Sequence, residues 1–283
     1  MDAEAFVERF LKPHYLFRPG QGLRRLRQAL SHDTPGPRLA CLPWGLPIHI
    51  DTREVIGLSI WQFGLYDLAV SETLWRLLRP GDLAVDVGAN IGAMTGLMAL
   101  RTGPAGEVLA FEPHPEVFAE LLANLELFQR RYGFSPVLPC HAALGREPGT
   151  GFLHTDGEFA SNRGTAHLGA GEDGLPVPVV TLDEVLAGRT AALMKLDVEG
   201  GELQVLAGAA DSLRRGLIRN VVYESFAAQS QELADVLRGY GYEIYSLGRR
   251  LLGLDVATGE PRIPPYEPPS ALATRDPEAL LRL

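Results

Sequence analysis

The sequence predicts an α/β protein built on a doubly wound, mostly parallel sheet with helices on both faces. Three observations predict it. From Asp82 onward, strand-like and helix-like segments alternate. The strand-like segments, among them LAVDV, EVLAFE, ALMKLDV and NVVYES, are largely apolar runs, which is how a strand covered on both faces reads. The right-handed crossover rule then narrows the topologies to a doubly wound sheet.

Taken in order, LAVDV (83–87) is the first strand and Ile91 to Leu100 its helix. EVLAFE (107–112) is the second strand. The helix after it, Pro115 to Phe128, sets Val117, Phe118, Leu121, Leu122, Leu125 and Phe128 on one stripe. VLPCHAALG (137–145) is a third strand and its exit. The polar, Gly-rich GTGFLHTDGEFASNRGTAHLGAGEDG reads as hairpin and loop. VPVVTLDEVL (177–186) gives a short strand and a helix start, with Thr181 as N-cap ahead of Glu184. ALMKLDV (192–198) is another buried strand. Glu202 to Leu213 reads as one helix, with Leu203, Leu206, Ala210 and Leu213 inward and Gly216 as its stop. NVVYES (220–225), a helix from Ser230 to Arg238 and YEIYSL (242–247) follow. Periodicity leaves the direction of those last two strands open. The tail IPPYEPPSALATRDPEAL is Pro-rich and reads as an extended wrap or a loose end.

The bulk properties exclude several classes. At 283 residues and 46% hydrophobic, the chain suits one large domain or two small ones with a real core. No apolar run reaches the ~18 residues a membrane span needs. MDAEAFVERFLKPHYLF carries acids among its apolar residues and does not read as a signal peptide. A net charge of −9 argues against a general nucleic-acid surface. Arg24, Arg25 and Arg27 are locally basic and read as a solvated helix face. Cys41 and Cys140 lie far apart, which points to a reduced, cytoplasmic protein without structural disulfides.

The stretch with most chemical content is Asp86 to Gly96, DVGANIGAMTG, at the carboxyl end of the first strand, where open α/β sheets bind ligands. A dinucleotide turn wants glycines at positions one, three and six. Counted from Gly88, position three is Asn90 and position six is Ala93, so a nicotinamide-dependent oxidoreductase is disfavoured. S-adenosylmethionine has no pyrophosphate and relaxes that demand. Asp86 suits its cationic part, Gly88 allows close backbone approach, and the helix N-terminus near Asn90 to Gly92 offers N–H groups to its carboxylate. Glu112, ending the second strand, can accept from both ribose hydroxyls; its structural alternative is to cap the helix that follows.

DVGANIGAMTG, EVLAFEPHPEVFAELLANLEL, VPVVTLDEVL and LMKLDVEGGELQVLAGA, in that order, resemble the FkbM family of S-adenosylmethionine-dependent methyltransferases. The upstream FGLYDLAVSETLWRLLRPGD resembles that family's lead-in, with Asp67 where Glu is more usual. DVGANIG alone recurs in many methyltransferases; the four motifs in order are far more specific. The resemblance implies a class I methyltransferase fold, Rossmann-like, with a seven-stranded sheet. It implies S-adenosylmethionine as cofactor and methyl transfer to a hydroxyl, often of a sugar or secondary metabolite. Carried over by motif, Asp86, Gly88, Asn90, Gly92 and Glu112 hold the cofactor, Ala142 and Ala143 pass the adenine, and KLDVEG lies beside the methyl. The chain then divides into an N-terminal extension (1–65, a lid or dimer face), a methyltransferase domain (66–250) and a Pro-rich tail (251–283).

Methylating an alcohol needs alignment and proton removal, because the sulfonium is already a strong electrophile. Asp197 and Glu199, at the end of a central strand, are candidates for base or cofactor contact; alternatively, Glu199 and Glu202 cap the next helix. Lys195 can pair with an acid or orient substrate, and Glu224 ends the next strand facing the same cleft. His14, His114, His141, His154 and His167 are each lone histidines, better read as surface or satisfied residues. His154 and Asn162 fall in a polar stretch where a substrate loop can lie. No histidine pair has the spacing of a helical metal site, so no metal is proposed. In IPPY (263–266), Ile stands where amine methyltransferases place Asp or Asn before Pro-Pro-Tyr, so that segment reads as a wrap. A cofactor-binding module without catalysis is the rival from another class, and the intact KLDVEGGE counts against it.

Overall fold

The computed structural model describes residues 34–133, 136–155, 159, 162–169, 171, 173–224, 230–250, 253–258, 269–276, 278, 280 and 283. His14, the arginines at 24, 25 and 27, and IPPY lie outside the described residues.

The chain begins its described course with a hairpin, β1 (Pro37–Cys41) and β2 (Pro47–Asp51), and two helices, α1 (Val55–Phe63) and α2 (Leu68–Leu77). Alternation then sets in: β3 (Leu83–Val87), α3 (Ala93–Thr102), β4 (Glu107–Phe111), α4 (Pro115–Tyr132) and β5 (Val137–Cys140). A small-sheet excursion follows, with β6 (Ala143–Leu144), β7 (Gly149–His154), β8 (His167–Gly169) and β9 (Leu175–Val180). The chain returns through α5 (Leu182–Leu186), β10 (Leu193–Leu196), α6 (Glu202–Ala207), α7 (Ala210–Arg214) and β11 (Asn220–Glu224). It closes with α8 (Ser230–Gly239), β12 (Glu243–Arg250), β13 (Gly253–Ala257) and β14 (Ser270–Thr274).

The main sheet has eight strands in the order β13-β12-β14-β11-β10-β3-β4-β5. β5, β4, β3, β10 and β11 pair in parallel; β14 is antiparallel to both β11 and β12. Chain order departs in opposite directions from β3, toward β4 on one side and β10 on the other, which sets the switch point between β3 and β10. Both faces are covered. Ala84, Val108 and Val222 join one core with α2, α3 and α4. Their neighbours Val85, Leu109 and Val221 join the other with α5, α6 and α8. The period-2 alternation of buried strands thus feeds two cores at once.

The sheet has eight strands where seven were expected, and the tail accounts for part of the difference. Ser270–Thr274, read as wrap or loose end, is an inner strand between β11 and β12. Its sequence SALAT is short and follows four prolines within six residues, so Pro content masked an apolar, mostly buried strand. The third strand leaves the main sheet after Cys140, and Ala143–Leu144 pairs instead with β9. The single helix expected over 202–213 is two helices broken near Gly208. A Cβ there would stand 1.9 Å from the Gly145 carbonyl oxygen, so the helix packs directly on the backbone leaving β6. CLPWGLPIHI (41–50) spans the tight turn between β1 and β2 and most of β2. Asn124 of α4 anchors this hairpin: its Oδ1 accepts from the His49 N–H (2.7 Å) and its Nδ2 donates to the Ile91 carbonyl (2.8 Å).

Candidate active site

At the carboxyl ends of β3, β4, β10 and β11 lies a cleft open to solvent. Its walls include the turn after β3, the end of β4, the small sheet at Leu153 and Leu168, and the start of α2.

Three residues of the turn hold positive φ: Gly88 (80°), Asn90 (49°) and Gly92 (89°). The two glycines serve different contacts. A Cβ on Gly88 would lie 1.9 Å from the Asp197 carbonyl oxygen, so the loops leaving β3 and β10 touch backbone to backbone. A Cβ on Gly92 would lie 2.7 Å from Leu121 Cδ1, so this glycine lets α3 settle on α4. The Gly88 and Ala89 N–H groups both donate to the Phe111 carbonyl, pinning the turn to β4. Gly92 caps α3 with no side-chain bond, leaving its first N–H groups to other partners.

Glu112 is 7% exposed and lines the cleft. One oxygen accepts from the Asn90 N–H (3.0 Å) and the other from the His114 N–H (2.9 Å). Burial pushes its carboxyl up to about 7 against the pull of those two bonds. The capping alternative is not what the carboxylate does, since His114 is the N-cap of α4 and no side-chain capping bond is made there; each Glu112 oxygen keeps a further lone pair. Ala142 and Ala143 line the wall beyond β5.

Beneath the turn lies a buried charge cluster. Lys195 of β10 sits in register with Asp86 of β3. Its Nζ donates to the Gly88 carbonyl (2.9 Å) and lies 3.2 Å from Asp197 Oδ2 and 3.5 Å from Asp86 Oδ1. Burial disfavours the Lys195 ammonium, but Asp197 and Asp86 outweigh it and hold its proton more tightly than usual. Asp86 is fully buried and its Oδ2 accepts from Thr95 Oγ1 (2.6 Å); burial raises its carboxyl, with Lys195 opposing. Neither Asp86 nor Gly92 lines the cleft. They stand beneath it and set the turn's shape.

The opposite end of the cleft is acidic. β10 stops at Leu196, two residues before the expected end, so Asp197 and Glu199 belong to the loop, with Glu199 at φ 53°. Both line the cleft with Glu224, Asp67 and Tyr66. Asp67 caps α2, its Oδ1 accepting from the Val70 N–H (2.9 Å), and Ser270 Oγ of β14 stands 3.4 Å from its Oδ2. Burial, then the nearby Asp197 charge, lifts Asp67 to about 6 despite the Val70 bond. Burial and the carboxylates of Asp197, Asp67 and Glu199 lift Glu224 to about 9. The Tyr66 phenol, also raised by burial and by these same acids, is 40% exposed at the mouth.

Tyr66 and Asp67 are site residues that the candidate set omits; an acid directly before the LAVSETLW helix was the available signal. Arg163 is another, lining the cleft while paired with Glu120 of α4. Of the histidines, His167 lines the cleft opposite His154 across the β7–β8 pair, as does Asn162. His114 is buried and His141 stacks on Phe118. Among the described residues no group of three or more His, Cys, Asp or Glu is placed to hold a metal, and no helix is long and apolar enough to cross a membrane. Cys41 and Cys140 are both free thiols.

A cleft at the switch point is where an open α/β sheet binds its ligand. The fold matches a solved structure titled methyltransferase FkbM from Methylobacillus flagellatus KT, with a TM-score of 0.50 at 14% identity over 76% of this chain and 52% of that one. The family is shown by sequence: the model of the methyltransferase FkbM domain matches residues 86–244, and the chain belongs to that family. It is 34% identical over 197 residues to 31-O-demethyl-FK506 methyltransferase FkbM of Streptomyces tacrolimicus, covering 59% of this chain and 75% of that one. It is 30% identical over 163 residues to hexuronic acid methyltransferase AglP of Haloferax volcanii, covering 55% of this chain and 62% of that one. Its cofactor is accordingly S-adenosylmethionine. The donor set fits such a group: a cleft walled by carboxylates suits a ligand with two cationic centres, and Glu112 with the open N–H groups of α3 suits one with hydroxyls and a carboxylate.

Proposed function

We propose that this methyltransferase methylates oxygen, at a hydroxyl of a sugar, glycan or secondary metabolite. The observation that carries the reading is the two-ended cleft, with hydrogen-bonding groups at the β3–β4 end and carboxylates at the β10–β11 end. The names of the FK506 and hexuronic acid relatives, which concern those proteins, point the same way. S-adenosylmethionine supplies an activated methyl group, so the protein's work is to bind, align and deprotonate.

In this reading Glu112 accepts the ribose hydroxyls on the lone pairs that Asn90 and His114 leave open. Gly88, Asn90 and the N–H groups that follow Gly92 receive the amino-acid end, and Ala142 and Ala143 flank the adenine. Asp86 and Lys195 keep the turn in shape from below, and Asp197, Glu199 and Glu224 form the reacting end. Ile56 of α1 lines the cleft, so α1 contributes to its wall.

The test is calorimetric titration with S-adenosylhomocysteine, with NAD as control, followed by methylation of a panel of hydroxylated glycosides read as a one-methyl mass gain. Micromolar binding of S-adenosylhomocysteine, lost in Glu112→Ala, is expected. Binding of NAD instead sinks the reading, and methyl gain only on amines moves the acceptor from oxygen to nitrogen.

A further inference from the structure

We propose that Glu224 takes the proton of the acceptor hydroxyl, and that the positive charge of the bound methyl donor is what frees its carboxylate to do so. The inference deepens the proposed O-methyl transfer and rests on it.

Position comes first. Glu224 is the last residue of β11 and lines the cleft beside the β10 exit. The charged and titratable groups around it come from every element packed there: Asp197 and Glu199 from the β10 loop, Lys195 from β10, Asp67 and Tyr66 from the start of α2. β14 places Ser270 directly opposite it in register.

Commitment separates it from Asp86, Glu112, Asp197 and Asp67. Asp86 lies beneath the cleft, held by Thr95 beside Lys195. Glu112 gives an oxygen to each of two backbone N–H groups. Asp197 is ion-paired with Lys195 at 3.2 Å. Asp67 is tied to Val70 and Ser270. Among the described residues no hydrogen bond or ion pair holds the Glu224 carboxyl, so it is free to exchange a proton.

Electrostatics then gives the sequence of events. Burial and three neighbouring carboxylates keep Glu224 protonated at neutral pH while no cation occupies the cleft. A sulfonium beside it replaces the proton, and Glu224 becomes a carboxylate. When the acceptor oxygen forms its bond to the methyl carbon, the carbon–sulfur pair goes to sulfur and the hydroxyl proton goes to Glu224. The sulfur is now neutral, so the environment that first held a proton on Glu224 holds this one. Atoms and charge balance with no further reactant. A base whose proton affinity rises as the donor's charge vanishes is matched to the reaction at both ends.

The test needs no acceptor. Titrate the protein with S-adenosylmethionine and with S-adenosylhomocysteine near neutral pH, in two buffers of different ionisation enthalpy, so that the heat reports protons exchanged. The cationic ligand is expected to release up to about one proton more than the neutral one. Glu224→Gln should abolish that difference while retaining S-adenosylhomocysteine binding, and Glu224→Asp should restore part of it. Equal proton release for the two ligands, or a difference that survives Glu224→Gln, overturns the proposal. If Glu224→Gln does not fold, the wild-type comparison and Glu224→Asp decide it. If neither ligand binds, the cofactor assignment itself fails, a separate and recognisable outcome.

Discussion

The two ends of the cleft are built on opposite principles. At the β3–β4 end the polar groups that shape the turn are spent on one another: Gly88 and Ala89 on the Phe111 carbonyl, Asn90 and His114 on Glu112, Lys195 on Gly88. At the β10–β11 end, carboxylates crowd together, with Lys195 paired to Asp197, and burial raises two of them well above the ordinary range. The first end is rigid by mutual satisfaction. The second stores an electrostatic tension that only a cation or protons relieve. A rigid end suits recognition of a constant ligand, and a charged end suits a step in which charge is destroyed.

The sharpest way to break the comparison is Gly88→Ala. Its Cβ would meet the Asp197 carbonyl oxygen at 1.9 Å, and backbone cannot yield as a side-chain tip can. Left-handed φ adds its own strain. A loss of about 3 kcal/mol or more is expected from the two together, read as a fall in thermal midpoint, with binding lost at both ends because the two loops part.

Lys195→Met ranks next. It leaves Asp86, fully buried, without its cation, and removes the tie to Gly88. Breaking a buried pair from one side costs about 3–5 kcal/mol, less here where Asp86 can take up a proton. A companion Asp86→Asn should recover part of the loss in a double-mutant cycle of denaturant midpoints. Strict additivity would show that the two do not interact.

The pH dependence of stability distinguishes the ends without mutation. Asp67, Glu112 and Glu224 stand at about 6, 7 and 9, all above their ordinary values. For a carboxyl raised in the fold, the stabilising form is the protonated one. Its contribution is whole below the ordinary value and is lost as pH rises through the folded value. Without ligand, the thermal midpoint should therefore fall from pH about 5 to about 9, with the alkaline part of the fall carried by Glu224 and abolished in Glu224→Gln. A midpoint that rises over that span would contradict the tension ascribed to the acidic end.

How far each end was legible in the sequence follows from how each is assembled. Asp86, Gly88, Asn90 and Gly92 lie within seven consecutive residues and Glu112 ends the next strand, so a strand–turn–helix reading brings them together. Even there, spacing did not reveal that Gly88 makes room for Asp197 rather than for a ligand alone, or that Asp86 sits below the cleft. The acidic end joins Tyr66 and Asp67, 197–199 and Glu224, which meet where β10 pairs with β11, and Ser270, which stands there because β14 enters the sheet beside β11. That insertion is a long-range pairing with no local signature, hidden further by the prolines that precede it. The parallel core strands were legible because burial on both faces writes itself into continuous apolar runs. The break at Gly208 was not, because helical periodicity runs through it and the reason for the break lies at Gly145.

The smallest effect expected is also the most selective. Ser270 is 3% exposed, and its hydroxyl reaches Asp67 Oδ2 at 3.4 Å, a long bond. Ser270→Ala removes that contact without disturbing the backbone pairing of β14 with β11 and β12. A neutral bond of this length contributes at most about 0.5–1 kcal/mol, so the thermal midpoint should move little. The consequence should instead be local to the acidic end. Asp67, losing a donor that favours its charged form, should titrate higher, while S-adenosylhomocysteine, which the proposed reading assigns to the β3–β4 end, should bind as before. Carboxyl-carbon magnetic resonance of Asp67 through a pH titration, beside calorimetry of the same variant, checks both halves. A loss of S-adenosylhomocysteine affinity equal to that of Glu112→Ala would mean that the two ends are one mechanical unit, and that their contrast in hydrogen bonding carries no division of labour.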